Sequence, residues 1–171
     1  GTTYGETVTD SSSSKVRDYV KIKLGDGTEG WIQKNLTAID VLPYAVKSTT
    51  KLYQRPDILA SSKKEFEMMQ FVVVTETQED WMKVMGKKPS DGWFSEGWVK
   101  SSHLSSSDID VTVAILAERA MSSDNKEKKM EALEEILDNP DLSGSVFIPS
   151  IRDMVDEMMY SDEPEEEEIY D

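Results

Sequence analysis

The chain has 171 residues, enough for one ordinary domain or two small ones, and it is strongly acidic, with a formal net charge of −15. That sign repels a phosphate backbone, so no nucleic acid is expected as a partner. There is no cysteine and one histidine, His103. Thiol nucleophiles, disulfides, Cys-based zinc sites and His-His metal motifs are thereby excluded, and no cofactor or metal is expected. No apolar run approaches the roughly 20 residues of a membrane-crossing helix.

Glu6-Thr7-Val8-Thr9 is a short strand candidate, followed by the loop Ser11-Ser12-Ser13-Ser14. Tyr19-Val20-Lys21-Ile22-Lys23-Leu24 alternates with period two, Gly25-Asp26-Gly27 supplies turn positions open to positive φ, and Gly30-Trp31-Ile32-Gln33 returns as the partner strand. Lys34-Asn35-Leu36 predicts a tight helical turn before Thr37-Ala38-Ile39.

The same phrase returns downstream. Phe71-Val72-Val73-Val74-Thr75 predicts a strand, Thr77-Gln78-Glu79 a turn, Asp80-Trp81-Met82-Lys83-Val84 the next strand and Gly97-Trp98-Val99-Lys100 its return. Tyr19 aligns with Trp81 at an offset of 62 and Trp31 with Trp98 at 67, so the second hairpin is five residues longer. Its extra length holds Lys87-Lys88-Pro89-Ser90-Asp91-Gly92-Trp93-Phe94.

From residue 107 the period becomes helical. Ile109, Val113, Leu116, Ala117 and Ala120 form one stripe behind Ser107 or Asp108 as cap. Asp124 with Glu127 predicts a capping box for a second helix carrying Met130, Leu133, Ile136 and Leu137, stopped by Asn139-Pro140. A third helix has Pro149 in its first turn and Ile151, Met154, Val155 and Met158 on one face. Seven acids crowd into the last ten residues, and so Glu-rich a tail is expected to be disordered.

Tyr19-Val20-Lys21-Ile22, Gly27, Gly30-Trp31-Ile32 and Leu36 in the first copy resemble the bacterial SH3-like (SH3b) domain, as do Trp81-Met82-Lys83-Val84, Gly97-Trp98-Val99 and Leu104 in the second. Such units have five short strands, ending in Gly-Trp-aliphatic, a helical turn and a last β residue. The first copy lacks the family's opening strand and long first loop, and Lys51-Leu52-Tyr53-Gln54-Arg55-Pro56 is the nearest counterpart of its Asn-Val-Arg opening.

The expected fold is therefore mostly β with an α-helical C-terminal region: tandem small SH3-like β-barrels followed by about three helices. Residues 1–42 form an SH3-like unit incomplete at its N-terminus, 43–106 a second with a longer hairpin, 107–160 a helical region packed on the second barrel, and 161–171 the acidic tail. In this reading each glycine before a tryptophan marks a close approach of a neighbour, and Trp31 and Trp98 plug the barrels.

The resemblance implies a non-enzymatic binding or scaffolding module of the bacterial periplasm or outer cell envelope. Its ligand is then a protein or cell-wall peptide, and it is a lipoprotein whose lipidated cysteine precedes the abrupt Gly1-Thr2-Thr3; membrane attachment runs only through that anchor. Two other readings stand beside it. One is an accessory part of a cell-wall hydrolase, although the helical remainder offers neither Cys nor His. The other is an adaptor for proline-rich peptides, with Tyr19, Tyr44, Tyr53 and Trp81 lining a groove.

The candidate ligand-binding residues are Tyr53, Trp81, Trp93 and Phe94. Trp93, beside Gly92 at the hairpin end, is expected beneath the helices, with ligand contact as the alternative, while Phe94 shares a strand face with Trp98. His103, beside two serines, is expected on the surface, and the acidic tail lacks the Asp-x-Asp spacing of a calcium loop. The oligomeric state is not legible.

Overall fold

The computed structural model describes residues 3–11, 16–23, 27–33, 41–87 and 94–160. The chain divides between Val41 and Leu42 into two compact units. In the first, β1 (Thr3–Asp10), β2 (Arg17–Lys23) and β3 (Glu29–Gln33) form an antiparallel meander in the order β1-β2-β3. Gly27 sits at φ 88°, the left-handed backbone that the hairpin turn requires. Across the hairpin Val20 lies opposite Ile32 and Lys21 opposite Trp31. The expected turn at Lys34-Asn35-Leu36 and the strand at Thr37-Ala38-Ile39 lie outside the described residues, as does the tail 161–171.

The second unit contains β4 (Leu42–Val46), β5 (Thr50–Tyr53), β6 (Ser61–Phe66), β7 (Phe71–Gln78), β8 (Trp81–Lys87), β9 (Phe94–Lys100) and β10 (Leu104–Ser105). They form one sheet in the order β10-β4-β7-β8-β9-β5-β6. A one-turn 3-10 helix, Ser101–His103, carries β9 into β10. Three helices follow: α1 (Asp108–Met121), α2 (Lys126–Asp138) and α3 (Ile148–Tyr160). The protein is mostly β with three C-terminal helices.

The sheet is curled. Phe66 in β6 is separated from β8 by two strands in sheet order, yet its Cε1 would stand 3.3 Å from a methyl placed on Gly86. Inside the curl, alternate residues of each strand meet: Val72 and Val74, Val84, Val99, Leu52 and Phe66 are all buried in one cluster. Gly97 permits the closure, since a methyl there would lie 3.0 Å from Leu52 Cβ and 3.2 Å from the Tyr53 carbonyl oxygen. The expected close approach at the glycine before tryptophan is thus real in the second hairpin. It is absent in the first, where nothing stands within 4 Å of a methyl on Gly30.

The opposite face of β4 and β7, with Ala45 and Phe71, meets the helices. α1 lies against β4 and β7, and Val113, Leu133, Phe147 and Ile151 complete a second, fully buried core. Helices of 13 or 14 residues are marginal alone in water, so this shared apolar layer is what holds them. Two sequence expectations fail here. The cap of α2 is Asn125, whose side chain accepts from Lys128 N at 2.8 Å, and not Asp124. Ile109 is 38% exposed, whereas its polar neighbour Asp110 is buried.

Trp31 is not a core plug, and Trp98, although buried as expected, belongs to neither apolar cluster. Val99 and Val84 point into the curl, so Trp98, one residue from Val99, and its cross-strand partner Lys83 project from the outer face. Trp31 pairs with Lys21 in the same register and is 48% exposed. In each hairpin the aliphatic residue after the tryptophan takes the inward position: Val99 is fully buried, and Ile32 stands opposite the buried Val20.

Candidate functional site

On the outer face of the second unit, period-two alternation collects Trp81 and Lys83 from β8 with Glu96, Trp98 and Lys100 from β9. β5 joins them, because Tyr53 is the register partner of Trp98. Tyr53 meets Trp81 edge to face, with ring centroids 4.9 Å apart and planes at 76°, the arrangement that ring quadrupoles favour. Lys100 lays its ammonium over the Trp81 ring, 4.3 Å from the centroid.

Acids fix both lysines. Asp80 hydrogen-bonds the Lys100 ammonium, which holds the Asp80 carboxyl below its usual range. Lys83 pairs with Glu96 at 2.6 Å, and that carboxylate raises the Lys83 ammonium above its usual value. The face therefore offers an aromatic ridge bordered by paired charges of both signs. Trp81 and Trp98 are only 6% and 7% exposed. A ligand arriving here meets the half-buried Tyr53 and the Lys100 side chain before either indole.

Of the four residues marked in the sequence, the structure brings Tyr53 and Trp81 into contact. Phe94 is on the same strand face as Trp98 but at the far end of β9, about 13 Å away along the strand, and is 56% exposed. Trp93 lies outside the described residues. Lys83, Glu96, Trp98 and Lys100 escaped notice as site residues. Their signal was in the sequence as same-face spacing: Trp81-x-Lys83 on one strand and Glu96-x-Trp98-x-Lys100 on the next.

His103 has a local duty. Its Nδ1 lies 2.7 Å from Ser48 Oγ, and its carbonyl accepts from Lys47 N at 2.8 Å. These bonds tie the 3-10 helix to the turn after β4, where β10 begins. Tyr44 packs against the inner cluster and so is turned from the outer ridge. A cleft of about 490 Å³ between α1 and α2, over Leu116, Ala132 and Leu142, holds Arg119, Lys128 and Glu135 together and involves none of the aromatic residues.

Among the described residues, no group of three or more His, Asp or Glu side chains is placed to hold a metal ion, and no helix is long and apolar enough to cross a membrane. In comparisons with known proteins, no family model, curated protein or solved structure matches the chain.

Proposed function

We propose that the protein is a non-enzymatic binding or scaffolding module of the bacterial cell envelope, built from tandem SH3-like units, which takes a cell-wall peptide or protein segment on its outer aromatic face. The carrying observation is the edge-to-face Tyr53 and Trp81 pair capped by Lys100. Such a ridge gives a short peptide an apolar ring edge for its side chains. The ion pairs Asp80 with Lys100 and Lys83 with Glu96 stand ready to exchange partners with a ligand carboxylate and amine. A cell-wall stem peptide presents both groups.

Two features support the SH3-like reading. In the second unit the meander β7-β8-β9 is followed by a one-turn helix and a short return strand beside β4. In both units the lysine two residues after the aromatic faces the tryptophan of the Gly-Trp phrase, as Lys21 with Trp31 and Lys83 with Trp98. The envelope location rests on the SH3b resemblance.

The test is calorimetric titration of the protein with soluble stem peptides and, separately, with proline-rich peptides. The proposal expects saturable binding of stem peptides that falls about tenfold, the loss of roughly 1.4 kcal/mol, in Tyr53→Ala and in Lys100→Ala. Binding that ignores both substitutions, or no binding, overturns the site. Binding of proline-rich peptides alone moves the ligand to the adaptor class, for which aromatic grooves serve extended helices of proline.

A further inference from the structure

Five of the nine methionines of the chain converge on one surface of the helical layer. Met68 and Met69, in the link between β6 and β7, meet Met121 from α1 and Met154 from α3 around a groove of about 230 Å³ floored by Ala117. The groove continues into a shallower hollow that shares Met121 and Met154 and adds Met158. Met68 and Met121 are 39% and 38% exposed, while Met69, Met154 and Met158 also pack against the helical core, and Ser150 Oγ donates to the Met68 sulfur at 3.8 Å.

The lining has two further features. Met69 holds a φ of 64°, a left-handed backbone uncommon for a residue with a side chain. Gln70 is buried beside it, and among the described residues its Nε2 has no hydrogen-bond partner. Among the described residues, every charged side chain on the lining is an acid: Glu67 and Glu118 on the groove, Glu157 on the hollow. Burial raises the Glu118 carboxyl above its usual range, with Lys87 nearby pulling the other way.

We propose that this methionine-lined, acid-edged groove is the docking site for a basic amphipathic helix of a partner protein. Unbranched thioethers repack around whatever aliphatic side chains enter, which suits a groove that accepts one face of a helix. The carboxylates at its edge select lysine and arginine on the flanks of that face, and a guanidinium or ammonium reaching Glu118 favours the ionised carboxylate that burial disfavours there. Charge also rejects other occupants. The C-terminus of the chain itself carries seven acids in its last ten residues, and a second copy carries the same net charge of −15.

The experiment uses the full chain and a fluorescently labelled synthetic helix of leucines and lysines, followed by anisotropy, with the same helix bearing glutamates for lysines as control. Saturable binding of the lysine helix is expected, with none for the control. Met121→Gln combined with Met154→Gln should weaken it about tenfold or more, while Tyr53→Ala on the aromatic face leaves it unchanged. To separate binding from any loosening of the helices by the double substitution, wild-type protein with labelled methionine methyls provides a second reading: the Met68, Met121 and Met154 resonances should shift on titration. No binding, equal binding in the double variant with its fold intact, or shifts confined to other methionines overturns the proposal.

Discussion

Ser145, in the link between α2 and α3, donates its hydroxyl to the buried carboxylate of Asp110 near the start of α1, at 2.8 Å. Val146 N donates to the same oxygen at 2.9 Å, and Ser105 Oγ reaches the other. One side chain thus joins β10, α1 and the approach to α3. Burial by itself would raise this carboxyl; the bonds from Ser105, Ser145 and Val146, helped by Lys47, outweigh burial and hold it below the usual aspartate value. Asp110→Ala, which orphans three donors, should cost about 3 kcal/mol in denaturant unfolding at neutral pH. A depressed folded value adds stability above the unfolded pKa of about 3.9 and loses it as pH falls through the lower folded one. The gap between wild type and Asp110→Asn should therefore narrow as the pH drops below about 4.

The two glycines that precede tryptophan should respond oppositely to a methyl group. Gly97→Ala pushes on Leu52 Cβ at 3.0 Å and the Tyr53 carbonyl at 3.2 Å, so a loss of about 1–3 kcal/mol is expected from overpacking. Gly30→Ala enters open space at an ordinary φ and should leave the melting temperature unchanged or slightly raised. Equal destabilisation at both sites, read by calorimetry, would show that the first hairpin is as closely wrapped as the second.

Trp31 and Trp98 separate in the same way. Trp98→Ala removes a ring that is 7% exposed and should cost about 3 kcal/mol or more. Trp31→Phe should change stability by less than about 0.5 kcal/mol, since the side chain is 48% exposed. In variants that retain a single tryptophan, acrylamide should quench Trp31 readily and Trp98 weakly.

At the start of α2, Asn125→Ala should cost about 1 kcal/mol, because its side chain satisfies the amide of Lys128. Asp124→Ala should be nearly silent. Thermal melts of the two variants side by side check the pair, and the reverse order would restore the capping box read from Asp124 and Glu127.

What the sequence disclosed and what it hid divide along physical lines. The first hairpin was legible from its strand alternation and from Gly27, and 3.6-residue spacing placed all three helices, since both signals are local. β4, β5 and β6 were not read as strands. Leu42-Pro43-Tyr44 and Ser61-Ser62-Lys63-Lys64 carry neither alternation nor β-branched residues, and their strand form comes from distant partners: β4 pairs with β7, and β6 with β5. Alternation also placed Phe94 and Trp98 on one strand face, but it is silent about which face turns inward: Val99 and Val84, not this face, enter the inner cluster, and Trp98 is buried outside it while Phe94 is exposed. Tyr53 and Trp81 were named without their being neighbours in sequence, and Lys100 emerged only when β8 and β9 were set in register.

The margins of the seven-stranded sheet carry a further meaning. At one margin β10 is two residues long, and at the other β6 exposes Lys63, Lys64 and Glu65 in succession. A bare strand edge recruits other chains by backbone pairing, and hydrated charges along it oppose that recruitment. This acidic protein has only 19 lysines and arginines, and it spends two adjacent ones on the longer of the two strands at the margins of this sheet. Edge-to-edge growth is thereby opposed at that margin, which favours side-chain surfaces over strand addition when other molecules engage this unit.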